Sequence, residues 1–314
     1  MIQLTKLINL FMEEISQNQL KISTVSVLLK EAWKLFKERF SSILIISSVP
    51  MVLAAISLFL DFIPGGLLIS PIVDLLVAII TILYYLSVIA LFVGNKEIGT
   101  VEDLKRSYSD SWKLIWPYAV ILFLGMVVVA GGVLMFIIPA IYAAVCISLV
   151  VFVFIAEQTK GKEAIIRSWA YIKGDWWNIF WRYIAIGLIL AIIQGIVTSF
   201  LRTLIPGTPF QGELPAIYGL ENTIRGALTI QSPWSTFIGT ILSLVFFGPF
   251  MGSYMFSLYK SLKSVKEKII DQNIESVRKS VKVFTVMGFI ALILLILVII
   301  GSVAFVLYSL KSNF

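Results

Sequence analysis

Side chains able to do chemistry are few and scattered in this sequence. It contains no histidine and one cysteine, Cys146. An imidazole base, histidine metal ligation, an internal disulfide and a thiolate cage are therefore all excluded. Cys146 sits inside an apolar run, where a free thiol reads as a small buried apolar side chain. Asp74 and Gln194 are the polar groups placed within apolar runs, and they are the intramembrane candidates. Gln194, in mid-run, suits a hydrogen bond between helices. Asp61 and Glu157 stand at the ends of runs, where water is expected to solvate them. No HExxH, GxSxG, P-loop lysine or cysteine cluster occurs. The glycines of GGLL, AGGV and PGTPFQG lack a strand-to-helix context and read as turns. The residues thus predict no catalytic site, no metal and no cofactor.

Tryptophan and basic residues recur together instead. EAWKLFKERFSSIL, DSWKLIWPYAVIL and RSWAYIKGDWWNIF each place a Trp after a small residue and just before an apolar run. They suggest a weak internal repeat of an amphipathic segment followed by a helical hairpin. Ile165, Trp169, Ile172 and Trp176 share one helical face, as do Val25, Leu28, Ala32, Phe36 and Phe40. Such helices fit a membrane–water interface, apolar side down and cations toward anionic headgroups. The lipid-interface candidates are Trp33, Lys34, Trp112, Lys162, Arg167, Trp169, Lys173, Trp176 and Trp177. GDWW, from Gly174, reads as the turn that ends one helix and redirects the chain. The expected partners are membrane lipids. Nucleic acid is not expected, because the basic residues lie within a few positions of apolar runs.

Those candidates need a membrane scaffold. The chain is 59% hydrophobic and 14% charged, against about 25% charged residues in a soluble domain. Seven apolar runs, at 42–60, 72–93, 117–137, 140–156, 183–201, 236–258 and 284–307, hold 17 to 24 residues each. About 20 residues of helix cross a bilayer, and only helix satisfies its own backbone there. The third and fourth runs form 40 residues without a charge, about 60 Å as one helix, so a break is required near GGVLMFIIPA. Of the 25 Lys and Arg, 22 fall in alternate segments, before the first run and after the second, fourth and sixth. The positive-inside rule then places the N-terminus in the cytoplasm and the C-terminus outside. The first twenty residues carry Glu13 and Glu14 and no long apolar centre, so a short amphipathic helix is expected rather than a secretory signal. The 202–234 segment is expected outside, with a short surface helix.

The stretch IPAIYAAVCISLVVFVFIAEQTKGKEAIIRSWAYIKGDWWNIFWRY adds a resemblance. Its Pro139–Tyr142 turn, Glu157, Gly161, Ala164, Ser168, Gly174 and Trp177 resemble an uncharacterised prokaryotic multi-pass family. That family is related to the membrane domain of membrane-anchored glycerophosphodiester phosphodiesterases. The resemblance implies a prokaryotic plasma-membrane protein with a six-helix core and cytoplasmic amphipathic connectors. This chain departs by a seventh span and by Pro-Ala where Pro-Gly is commoner. The catalytic barrel of such enzymes needs about 250 residues, which the spans leave no room for, so no activity is carried over. The expected organisation is an all-α transmembrane bundle. It has an amphipathic segment at 1–40, a six-span core at 41–259, a basic helix at 260–283 and a seventh span with a short tail at 284–314. The expected role is non-enzymatic, organising lipid or partner proteins at the membrane surface. The alternative is a transporter for a lipid-like substrate.

Overall fold

A computed structural model describes residues 22–60, 69–94, 97–204, 233–267 and 270–312. Among these the chain is helical, with no strand. The helices are α1 (Val25–Glu38), α2 (Phe40–Leu60), α3 (Ser70–Gly94), α4 (Val101–Met135), α5 (Ile137–Ile147), α6 (Val150–Ala156), α7 (Lys162–Ile172), α8 (Trp176–Leu204), α9 (Pro233–Leu242), α10 (Gly248–Lys266) and α11 (Ile270–Ser312). One π turn, Ser243–Phe247, joins α9 to α10. Seven stretches are long and apolar enough to cross a membrane: α2, α3, α4, α5 with α6, α8, α9 with α10, and α11. The first 21 residues of the expected amphipathic segment at 1–40, Asp61, and most of the 202–234 segment lie outside the described residues.

Several helices begin earlier than hydropathy suggests, α4 and α11 by the largest margins. The third span was expected from Pro117, yet α4 starts at Val101 and continues through that proline. Its start is set by a capping box. The Thr100 hydroxyl accepts from the Asp103 N–H, and the Asp103 carboxylate accepts from the Thr100 N–H, each at 3.2 Å. The basic helix expected at 260–283 is divided. Its first residues extend α10 to Lys266, and the rest open α11, a helix of 43 residues. Val277 and Val281 are fully buried, so the inward face of α11 is already packed before its apolar run begins.

The expected break between the third and fourth spans falls at Phe136, the single residue separating α4 from α5. The two arms then run antiparallel in a fixed register. Gly132 faces Ala140, Gly125 faces Ile147, and the Tyr118 ring lies over Phe154. A Cβ on Gly132 would stand 2.6 Å from the Ala140 Cα, so only glycine allows so tight a hairpin. The seventh span is no loose appendage either. It crosses α4 where Gly131 and Gly288 meet the opposite backbone. A Cβ on Gly131 would lie 2.0 Å from the Phe284 carbonyl oxygen, and one on Gly288 1.8 Å from that of Val127. Helices in lipid gain from such backbone approach, because hydrocarbon gives them no hydrophobic reason to associate. Beyond the crossing, α11 exposes Ile293–Ile300 on every side, and α8 is similarly outward-facing.

All four basic segments meet at one end. Arg39 pairs with Glu97 at 3.2 Å. The Ser23 N–H donates to the Ser261 hydroxyl at 2.9 Å, and Arg182 donates to the Ser23 carbonyl at 3.1 Å. Lys266 pairs with Asp175 at 2.7 Å, and Arg278 with Glu163 at 3.3 Å. Odd and even spans therefore alternate as the charge pattern requires.

Candidate functional site

The centre of this basic end is Glu157. It follows α6, and its side chain is 6% exposed. Oε1 accepts from the Tyr171 hydroxyl at 2.6 Å and from the Tyr259 hydroxyl at 2.8 Å. Oε2 accepts from Arg167 Nη1 at 2.8 Å, and the Lys263 ammonium stands 3.6 Å from Oε1. Burial alone would push this carboxyl up. The hydrogen bonds from Tyr171, Tyr259 and Arg167, with the Lys263 charge, outweigh it and hold the carboxyl below its ordinary value. The same arrangement drives the Tyr171 hydroxyl well up, through burial and the hydrogen bond to Glu157. A satisfied buried carboxylate of this kind fixes geometry. It ties the loop after α6 to α7 and α10.

The position of Glu157 at the end of an apolar run predicts a solvated carboxylate, whereas the structure buries it. A signal for its partners was nonetheless present. Arg167 and Tyr171 lie four apart on α7, and Tyr259 and Lys263 lie four apart on α10. Each helix thus presents a cation and a phenol one turn apart on the same face.

The candidate lipid-facing residues divide into two groups. Four residues of the third element, expected at the headgroups, are largely committed to protein. The helix α7 is buried on nearly all sides, packed among α4, α5, α6, α10 and α11. Trp169 is 1% exposed and meets Tyr142 and Phe284 edge-on, with ring centroids 5.5 and 5.2 Å away. Arg167 turns inward to Glu157. Lys173 donates to the Ser276 hydroxyl at 2.5 Å. Trp176 is half-buried in a stack with Tyr142, Trp177 and Phe180. For Trp169 the expectation is corrected: it faces protein; Arg167 is 34% exposed and is committed to Glu157. The apolar face that suits a lipid surface serves equally as a plug when other helices surround it.

Other candidates stay outside. Trp112 is 59% exposed and, with Trp116 at 78%, lies on one face of α4. Trp177 and Trp181 form a matching exposed pair on α8, rings 6.1 Å apart. Lys162 is exposed at the start of α7. The helix α1 buries Leu28, Ala32 and Phe36 against α10, while Trp33 remains half-exposed over Phe36 and Phe250. Lys34 is exposed, with Glu38 at 3.9 Å. Asp74 is exposed and accepts from the Ser57 hydroxyl at 3.2 Å, and Gln194 is exposed midway along α8.

The recurring small residue before each Trp has a physical meaning. The Ala32 carbonyl accepts from the Ser253 hydroxyl at 3.1 Å. The Ser111 and Ser87 hydroxyls share a hydrogen bond of 2.8 Å. The Ser168 hydroxyl donates to the Cys146 carbonyl at 2.8 Å. All three small residues are buried, so each marks a close helix contact that fixes where its Trp points. Gly174, with φ of +91°, makes the turn expected at GDWW and leads into α8.

Helices of this length and apolarity, with charges gathered at one end, define an all-helical, multi-pass integral membrane protein. Compared with family models, curated proteins and solved structures, the chain matches none of them.

Proposed function

We propose that this chain is a non-enzymatic membrane protein that organises anionic lipid around its basic, cytoplasmic end. The observation that carries the reading is the pair of exposed tryptophan ladders, Trp112 with Trp116 and Trp177 with Trp181, at the end where the cations gather. An indole is apolar in body with one polar N–H, and it settles at headgroup depth. Exposed Lys105 and Lys162, with Lys113 in an exposed pair with Asp110 at 2.9 Å, accompany these ladders. A Lys or Arg whose charge is not offset contributes about 1 kcal/mol near an anionic surface. In the sequence, 22 of 25 cations fall in the alternate segments between spans, and this bias supports a cytoplasmic assignment of that side. The resemblance to a prokaryotic multi-pass family points to the plasma membrane and carries no catalytic residue across.

The test is the lipid shell. Protein extracted in polymer-bounded native discs should hold more anionic phospholipid than the surrounding membrane. Replacing Lys105, Lys113 and Lys162 by Gln should lower that enrichment while the protein stays folded. A shell identical to bulk lipid in both proteins sinks the proposal.

A further inference from the structure

We infer that one acyl chain of a glycerophospholipid lodges in a groove between α4 and the α5–α6 arm, its headgroup at the basic end. The groove holds about 550 Å³, within the range of roughly 300–1,000 Å³ typical of ligand sites. Tyr118, Leu122, Gly125, Met126, Ala130 and Ser148 are among the residues lining it. Its origin is in the sequence. Gly125 and Ala130 put small side chains on α4, and the facing arm is interrupted between Ile147 and Val150. From Tyr118 to Val133 the α4 wall runs about 22 Å at 1.5 Å per residue. That exceeds one leaflet's share of a hydrocarbon core about 30 Å thick. Both walls are flanks of membrane spans, so the medium that fills the groove is lipid.

The polar groups select which lipid atoms sit where. Two hydroxyls line the groove. That of Ser148 is already committed, donating to the Val145 carbonyl and meeting the Tyr183 hydroxyl, each at 2.6 Å. That of Tyr118 makes no hydrogen bond within the described residues, while its ring stacks on Phe154 at 6.5 Å. Tyr118 is half-buried and lies two residues beyond Trp116, at interfacial depth, where a phenol open to the groove seeks an acceptor. An ester or phosphate oxygen of a glycerophospholipid supplies one. Lys113, closer to the basic end on the same helix, is paired with Asp110 at 2.9 Å, so the phenol and not a lysine is the group that meets the lipid oxygen. The inference rests on the reading that this end meets headgroups, and it adds a resident lipid to the looser shell.

Native mass spectrometry of the full chain, purified in mild detergent and washed, tests it. Wild type should retain one glycerophospholipid. Ala130→Phe fills the groove and should lower occupancy at least about tenfold, equivalent to 1.4 kcal/mol. Met126→Trp fills it from the exposed side and serves if Ala130→Phe fails to fold. Tyr118→Phe should weaken retention without abolishing it. Retention of no lipid by wild type, of a free fatty acid instead, or of equal lipid by both filled variants overturns the inference. Failure of the surface proposal looks different: the shell matches bulk lipid while the single bound lipid persists.

Discussion

Replacing Glu157 by Gln keeps the size of the side chain and removes its charge. The amide oxygen still serves one phenol, but its NH₂ group now faces donors. One tyrosine and Arg167 lose their acceptor. Breaking a buried ion pair costs about 3–5 kcal/mol. Arg167 is 34% exposed and Lys263 33%, so water repairs part of the loss, and about 2–4 kcal/mol is expected. At about 2–4 °C per kcal/mol for chains of 150–250 residues, Tm should fall by about 4–16 °C. Cys146 supplies the assay. It is the single cysteine and is fully buried, so a thiol-reactive fluorogenic dye reports unfolding directly. Tyr259→Phe removes one donor and should cost less. The pH dependence separates charge from packing. The folded carboxyl titrates below its ordinary value of 4.5. Its contribution is therefore fully present above that pH and is lost as pH falls through the lower folded value. The gap between wild type and Glu157→Gln should be constant near neutrality and close in acid. Identical melting of the two proteins at neutral pH would refute the lock.

Two further outcomes follow from the helix contacts and the charge pattern. Gly288→Ala places a Cβ 1.8 Å from the Val127 carbonyl oxygen and should destabilise by about 1–3 kcal/mol in the same assay. Gly301→Ala, with nothing within 4 Å, should be silent, and equal effects would remove the crossing as the cause. In a Cys146→Ala background, Ser109→Cys at the basic end should react with an impermeant maleimide only after cells are opened. Labelling of intact cells would reverse the orientation.

The spans were legible because hydropathy and charge alternation are whole-segment properties that packing does not alter. Their starts were less so. Pro117 suggested a helix start, whereas Thr100 and Asp103 provide the cap, a signal that lies in polar sequence well before the apolar run. The misreading of α7 has a clear physical source. Ile165, Trp169 and Ile172 trace an apolar face whether the helix rests on lipid or sits inside protein. The discriminating residues were on its other sides: Ala164, Ile166, Ser168 and Ala170 are all buried, and a helix small or apolar all round is an interior one. The Glu157 site was hidden because its donors come from helices about a hundred residues apart. The spacings of four that bring each phenol beside a cation were visible, but their convergence was not.

The proposed placement of the exposed tryptophan pairs at headgroup depth is tested most directly by two single-Trp proteins, one retaining Trp112 and one retaining Trp169, in nanodiscs with lipids brominated at known depths. Trp112 should be quenched strongly by shallow bromines and more so when the discs contain anionic lipid, while Trp169, 1% exposed, should be quenched weakly at every depth. Equal quenching of the two, or an unquenched Trp112 in a folded bundle, would contradict that placement and with it the proposed lipid role.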